Sequence, residues 1–292
     1  MNTRQRWGWA MAIGLLCPIA VQGQQSCRAA GKLMPVKELP EASGVAASRK
    51  SPGVLWSHND SGEPVIVAVG TDGTTRGRVK IAGATVGDWE DIDVGPCPGG
   101  TCVYIGDIGD NDAGRSSITV FRVPEPEPGA TSSTNAESMT LTYPDGARDA
   151  ESLIVLPDGS LLVVSKGEKS SIGIYRSAAF KNGGTARLES IATIASGEKS
   201  DGVARENRIT GGSASPDGRW IVLRTLSTLT FYDASELGAG KVREAFRSDI
   251  SGIGEAQGEG VAFAGDGTLW LASEGGGKSR PGMLAKLTCT LK

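Results

Sequence analysis

A single histidine, His58, stands in a chain of 292 residues. That scarcity excludes every site built on two imidazoles, the His-Glu-x-x-His zinc hydrolases among them. Aromatic residues are few, at 5%, and neither sign of charge dominates: 30 Lys and Arg face 33 Asp and Glu, for a formal net charge of −3. The basic stripe that nucleic-acid binding requires cannot be built from that balance. A Gly-x-Ser-x-Gly nucleophile elbow and a Gly-x-x-x-x-Gly-Lys-Ser/Thr phosphate loop are both missing. Helical periodicity is confined to a possible turn near 233–238. Long apolar runs are absent too: the one at 7–21 is broken by Pro18 and falls short of the ~20 residues of a membrane span.

That run has another reading. Arg4 and Arg6 precede it, and Val21-Gln22-Gly23 offers small residues after it. Residues 1–23 are therefore expected to be a secretory signal, with 24–292 forming a single mature domain. Removing the two arginines leaves a mature chain near −5. The expected location is periplasmic or secreted. Cysteine usage fits export, where disulfides persist. Cys17 lies in the signal, leaving Cys27, Cys97, Cys102 and Cys289, which allow three pairings. Cys97-Pro-Gly-Gly-Thr-Cys102 is a turn that a local bridge can staple, which leaves Cys27 with Cys289. A zinc site from the same four would need paired Cys-x-x-Cys knuckles, and the spacing is wrong.

What the chain has in excess is glycine, with 42 residues, about twice the ordinary share of ~7%. Much of it marks a repeat. Five segments share one template: a polar residue, a strand, a glycine turn and a second apolar strand. They run from Ser43 through Gly53 to Asp60, from Glu90 through Gly100 to Asp107, and from Glu151 through Gly159 to Lys166. The last two run from Thr210 through Gly218 to Thr225, and from Glu259 through Gly267 to Glu274. The step from turn glycine to closing residue is seven positions in all five. Pro157-Asp158-Gly159, Pro216-Asp217-Gly218 and Gly265-Asp266-Gly267 are hairpin turns in which glycine takes the positive-φ position.

Two weaker strands follow each hairpin, such as 64–70 with 76–81 and 117–123 with 138–143. Four antiparallel strands per unit at this spacing is the pattern of a propeller blade. The expected fold is an all-β, five-bladed β-propeller; six blades, with one hidden in the longer spacings, is the alternative. The fifth repeat leaves room for three strands only. A strand from the N-terminal segment, such as 33–39, is expected to complete it and remove an open edge. Trp56, Trp220 and Trp270 are expected to fill space between blades.

The repeat also gathers charge. If opening and closing residues are cross-strand neighbours, the pairs are Ser43 with Asp60, Glu90 with Asp107, Glu151 with Lys166, Thr210 with Thr225, and Glu259 with Glu274. All ten then meet at one mouth of the central channel. Six carboxylates against one lysine repel unless a cation or raised pKa values relieve them. Asp60, Glu90, Asp107, Glu151, Glu259 and Glu274 are therefore the expected metal ligands. The neighbouring Asp107-Ile-Gly-Asp110-Asn111-Asp112 adds oxygen donors of the kind Ca²⁺ takes, although its spacing is not that of an EF-hand. Solvated turn acids and backbone caps are the plainer reading of each position alone. His58 is expected to be a packed rim residue.

Val54-Leu-Trp-Ser-His-Asn-Asp-Ser-Gly62, Asp88-Trp-Glu-Asp-Ile92, Tyr104-Ile-Gly-Asp-Ile-Gly-Asp-Asn111 and Phe121-Arg-Val-Pro-Glu-Pro126 together resemble a family of exported bacterial β-propellers. More distantly the chain resembles the esterase-like phytase propellers, whose blades open with Asp-x-Glu-Gly-aliphatic. Asp88–Ile92 and Asp149–Leu153 match that opening, and Gln257–Val261 does so more loosely. Asp91 and Ser152 replace its glycine, and Gln257 its first acid. The likeness is firm over 54–126 and weak elsewhere. It implies a propeller of calcium-dependent phosphoester or ester hydrolase lineage, although phytase propellers have six blades and more basic phosphate-binding residues.

The expected function is thus an exported propeller with an acidic, cation-binding mouth acting as a metal-dependent ester or phosphoester hydrolase. Glu90, Glu151, Glu259 and Lys166 are the expected catalytic residues, Ca²⁺ the cofactor, and a small anionic or ester molecule the substrate. Lys166, Arg115 or Arg224 would meet the anion. A non-catalytic extracytoplasmic binding or scaffold propeller is the alternative.

Overall fold

The structure, a computed structural model, describes residues 25–194, 202–265 and 267–291. The expected signal at 1–23 lies outside the described residues. Two short strands come first, β1 (Ser26–Ala29) and β2 (Met34–Val36). Blade 1 is β3 (Ala42–Ala47), β4 (Val54–Asn59), β5 (Val65–Gly70) and β6 (Thr75–Lys80). Blade 2 is β7 (Trp89–Cys97), β8 (Gly100–Asp107), β9 (Ile118–Pro124) and β10 (Glu137–Thr142). In blade 3, β11 (Ala150–Val155), β12 (Leu161–Ser165) and β13 (Ile172–Ser177) are followed by β14 (Gly184–Arg187), which crosses to pair in parallel with β10. Its outer strand is β15 (Glu189–Ile194).

Blade 4 is β16 (Gly211–Ala214), β17 (Trp220–Arg224), β18 (Thr228–Asp233) and β19 (Glu244–Asp249). The turn expected near 233–238 is the helix α1 (Ala234–Gly238), whose first N–H groups are capped by the Asp233 carboxylate. Blade 5 is β20 (Gln257–Phe263), β21 (Thr268–Glu274) and β22 (Gly282–Thr290). Both N-terminal strands complete it. β1 pairs with the end of β22, Cys27 opposite Cys289, and β2 pairs with its beginning. The chain is a five-bladed β-propeller closed from its N-terminal side. Both disulfides have the expected partners, Cys27–Cys289 and Cys97–Cys102. No helix among the described residues is long and apolar enough to cross a membrane.

The hydrophobic core is split into five, one part for each gap between blades. Trp56, Ile66 and Val79 of blade 1 pack on Trp89, Ile105 and Phe121 of blade 2. Trp220 and Phe231 of blade 4 meet Phe263 and Leu269 of blade 5, and Trp270 fills the gap between blades 5 and 1. The inner and central strands bury both faces because they lie between neighbouring blades, so strands such as Leu161–Ser165 read as continuous apolar runs, while outer strands such as β6, β15 and β19 are largely exposed.

The inner strands β3, β7, β11, β16 and β20 form the ring around the axis. They approach so closely that a Cβ on Gly44 would stand 2.6 Å from the Ile92 nitrogen, and one on Gly260 would stand 2.6 Å from that of Val45. Side chains bond across the same gaps. The Ser43 hydroxyl donates to the Glu90 carbonyl oxygen at 2.6 Å, and that of Thr210 to the Glu259 carbonyl at 3.1 Å. Asp91 and Asp93 accept from the Leu153 and Val155 N–H groups at 2.9 and 2.7 Å. Asp91, standing where the resembling motif has glycine, thus ties blade 2 to blade 3.

Candidate functional site

The start of each inner strand carries the chemistry, and a β-bulge aims it in four blades of five. Pairing jumps from Ala42 to Val45, from Trp89 to Asp91, from Ala150 to Ser152, and from Gly258 to Val261. The unpaired residues include Ser43, Glu90, Glu151 and Glu259. An extra residue in one strand re-aims its side chain, and here that direction is the channel mouth. The bulges also correct the expected pairing. Asp107 pairs with Trp89 and Glu274 with Gln257, while the Asp60 and Lys166 N–H groups bond to the Glu41 and Asp149 carbonyls.

Ser43, Asp60, Glu90, Glu151, Lys166, Thr210, Glu259 and Glu274 nevertheless line one cavity of about 310 Å³. Glu90, Asp149 and Glu151 each bring one carboxylate oxygen within 4.8 Å of the others. Glu151 is 3% exposed, Glu90 is 8% exposed, and the Asp149 side chain is 8% exposed. The Lys166 ammonium forms an ion pair with Glu151 and stands 3.6 Å from Asp149. The buried Asp149 and Glu151 oxygens that face Lys166 have that ammonium as their charged partner. Opposite them, Gln257 divides its amide N–H groups between Glu259 at 2.7 Å and Glu274 at 2.9 Å. The neutral residue where the resembling motif has an acid is therefore a donor bridging two carboxylates.

Proximity and burial raise these carboxyls. Burial first, then the neighbouring Glu151 and Asp88, lifts the Glu90 pKa well above the usual range. Burial pushes Glu151 up to about 7 against the pull of Lys166. Burial, with Glu151 nearby, pushes Glu259 up to about 8. Asp60, Asp88 and Glu274 rise as well, each chiefly through burial. Burial works against the Lys166 ammonium, yet Glu151 and Asp149 outweigh it and raise its pKa.

Other expected members stand elsewhere. Asp107 accepts from the Gly87 and Asp88 N–H groups at 2.9 and 3.0 Å and from Arg115 at 2.8 Å. Asp110 accepts from the Gly114 and Arg115 N–H groups. Asp107 and Asp110 are thus engaged by backbone N–H groups and Arg115, and neither they nor Asp112 line the cavity. Arg115 is held by Asp107 and the Gly109 carbonyl, and Arg224 is fully buried against Glu255. Neither faces the cavity. His58 is buried, with Nδ1 3.0 Å from the Asn59 carbonyl oxygen and its ring edge-on to Trp89. Burial lowers its pKa to about 4, so it stays neutral as a packed residue.

The residues missed in the sequence are Asp149, Asp88 and Gln257, together with Arg205 and Arg208 at the rim. A signal for the first three was present: Asp88, Asp149 and Gln257 each precede a bulged glutamate by two positions. Arg205 and Arg208 flank a short turn, Arg205–Asn207, and no repeat marks them. Arg208 is paired with Glu168 at 2.8 Å.

Folding raises these carboxyl pKa values, so the folded chain binds their protons more tightly than the unfolded chain does. Their contribution to stability is complete below about 4.5 and is lost as pH climbs through the folded values. His58 acts oppositely, but only below its ordinary 6.5. Between pH 6.5 and 8.5, with EDTA present, stability should therefore fall as pH rises. Glu151 at about 7 and Glu259 at about 8 give a loss of about 3 kcal/mol, or about 6–12 °C in the melting midpoint. Thermal melts across that interval check it. A midpoint that rises with pH would mean these carboxyls are ionised in the folded chain.

Comparison with known protein families and with curated proteins gives no match to the sequence. Comparison with solved structures does. The chain is similar to the PQQ-bound aldose sugar dehydrogenase of Streptomyces coelicolor, with 12% identity and a TM-score of 0.53 over 90% of this chain and 98% of that one. It is similar to the apo form of the soluble aldose sugar dehydrogenase of Escherichia coli, with 11% identity and a TM-score of 0.53 over 91% of this chain and 100% of that one. At such identity the likeness establishes the fold.

Proposed function

We propose that this chain is an exported propeller that holds a hard divalent cation, Ca²⁺ above all, at its acidic mouth and hydrolyses an ester or phosphoester there. The carrying observation is the convergence of three largely buried carboxylates, Glu90, Asp149 and Glu151, which a single lysine, Lys166, faces. Carboxylates without thiol or imidazole partners suit Ca²⁺, which takes oxygen ligands. Asp60 and Glu274 stand around the same cavity to complete a shell, with Glu259 beside it. When bound, such an ion polarises an ester or phosphoester oxygen.

The remaining roles follow from the side chains. Glu259, with a pKa of about 8, holds a proton at neutral pH and can deliver it to a leaving oxygen. Lys166 keeps Glu151 in place and offsets part of the negative charge. Arg205 and Arg208 at the rim meet the anionic part of the substrate, the role expected of Arg115 and Arg224. Two disulfides fit an oxidising compartment, which supports reading 1–23 as a signal. One observation favours a binding module without catalysis: Lys166 already neutralises the two deepest acids.

Calcium at a hundredfold excess over its dissociation constant should stabilise the chain by about 3 kcal/mol, raising the melting midpoint by about 6–12 °C. EDTA should reverse the shift, and E90Q with E151Q should abolish it. No shift with Ca²⁺, Mg²⁺ or Mn²⁺ would remove the cation from the reading. Turnover of p-nitrophenyl esters or phosphates that vanishes in E259Q, while a reduced calcium shift survives, separates enzyme from module.

A further inference from the structure

The channel has a second mouth, and its chemistry is the reverse of the first. Inner strands β7 and β11 run in the same direction, as the matched Asp91–Leu153 and Asp93–Val155 bonds show. The acids stand at strand starts; at the strand ends lies a larger cavity of about 630 Å³. That volume falls within the ~300–1,000 Å³ of small-molecule sites. Ala47 of β3, Val94 of β7, Ala214 of β16 and Phe263 of β20 contribute to its wall, and Trp270 closes the side between blades 5 and 1.

The polar groups of this wall divide into two sets. Asp93 and Ser213 are committed to backbone. Asp93 accepts from the Val94 and Val155 N–H groups at 2.8 and 2.7 Å, and the Ser213 hydroxyl oxygen accepts from the Phe263 N–H at 3.1 Å. Arg49 and Lys286 also line the cavity; neither forms an ion pair at contact distance among the described residues, and Arg49 acts on Asp93 only through its field. The Lys286 ammonium lies 5.7 Å from the centre of the Trp270 ring, poised over the aromatic wall. An apolar chamber with two cations at its edge, against one carboxylate whose oxygens are already held by backbone N–H groups, keeps a net positive charge and matches one ligand chemistry: a hydrocarbon body carrying a single anionic head. A cation would meet both positive side chains, and a neutral alcohol would leave them unmatched.

We infer that this second mouth binds a small amphipathic carboxylate, its hydrocarbon against Phe263 and Trp270 and its carboxylate between Arg49 and Lys286. The site is separate from the acidic mouth and does not depend on the function proposed there.

Sodium octanoate is a direct probe, measured on the full mature chain by calorimetry and by tryptophan fluorescence, with octanol and octylamine as controls. Octanoate is expected to bind saturably at one site. R49Q and K286Q should each weaken it about tenfold, and A264W, which fills the chamber, should abolish it. E90Q with E151Q should leave it unchanged, so failure of the calcium reading does not carry over. Melting midpoints show whether each variant is folded; Arg49 is exposed, so R49Q tests the charge where A264W disturbs the wall. Octanol or octylamine binding as tightly as octanoate, unchanged affinity in R49Q and K286Q, or no saturable binding would each overturn the inference.

Discussion

Replacing Arg224 with methionine is expected to cost about 4 kcal/mol and to weaken calcium stabilisation, although no Arg224 atom faces the acidic mouth. Arg224 is 0% exposed. Its guanidinium is paired with Glu255 and donates to the Gly260 and Ala272 carbonyl oxygens at 2.6 and 2.9 Å. Those carbonyls flank the bulge that turns Glu259 into the channel. Methionine fills similar volume but strands the Glu255 carboxylate. Burial already raises the Glu255 pKa in spite of Arg224, so removing the guanidinium leaves that charge without compensation. Breaking one partner of a buried pair typically costs ~3–5 kcal/mol, whereas exchanging both for apolar residues is far milder. R224M with E255M should therefore recover much of the loss. The carbonyl bonds are not recovered, so the double variant should be nearly as stable as the parent yet show a smaller calcium shift. Denaturant unfolding of the two singles and the double, each with calcium and with EDTA, measures both effects. A full calcium shift in the double variant would remove Arg224 from the positioning of Glu259.

The difference between what Arg224 does and what its sequence position suggested shows where sequence reasoning stops. The ring itself was legible. Gly159, Gly218 and Gly267 have positive φ at the hairpin turns, and turns at constant distance from a closing polar residue can come only from repeated hairpins. That strand starts converge on one axis follows from the repeat, which is why Glu90, Glu151 and Glu259 line one cavity. Their bulges were not legible. A period of two assumes that every residue is paired, and one extra residue in the inner strand shifts every later partner. Asp107 was assigned to the mouth on that assumption, whereas its oxygens are engaged by the loop entering β7. Asp149 was passed over because it precedes the repeat's opening residue. Its spacing to Glu151, shared with Asp88–Glu90 and Gln257–Glu259, was the available clue. Arg115 and Arg224 were read by charge alone, and no sequence pattern reveals that a buried carboxylate elsewhere already holds a guanidinium.

The ring closure carries the largest expected effect. Removing the Cys27–Cys289 bridge should cost about 5 kcal/mol, far more than removing Cys97–Cys102. The two bonds differ in the chain they close: their partners are 262 and 5 residues apart. In the chain-entropy account a cross-link restricts the unfolded ensemble by an amount that grows with the logarithm of the loop, giving about 5 kcal/mol for the long one and about 2 kcal/mol for the short one. The fold adds to the difference. β22 is the last strand from the C-terminal side, and β1 and β2 pair with its two halves. Blade 5 is therefore held to the rest of the ring by its packing on blades 4 and 1, by these short ladders, and by the bridge between Cys27 and Cys289. The Cys97–Cys102 bond lies across one hairpin turn, whose ends the β7–β8 ladder already holds together. C27S with C289S should lower the melting midpoint by about 10–20 °C and speed amide exchange in β1, β2 and β22 ahead of the other blades. C97A with C102A should leave exchange in blade 5 unchanged. Equal destabilisation by the two pairs would show that the bridge between the chain's ends is not what keeps the ring shut, and that inter-blade packing alone holds blade 5 in place.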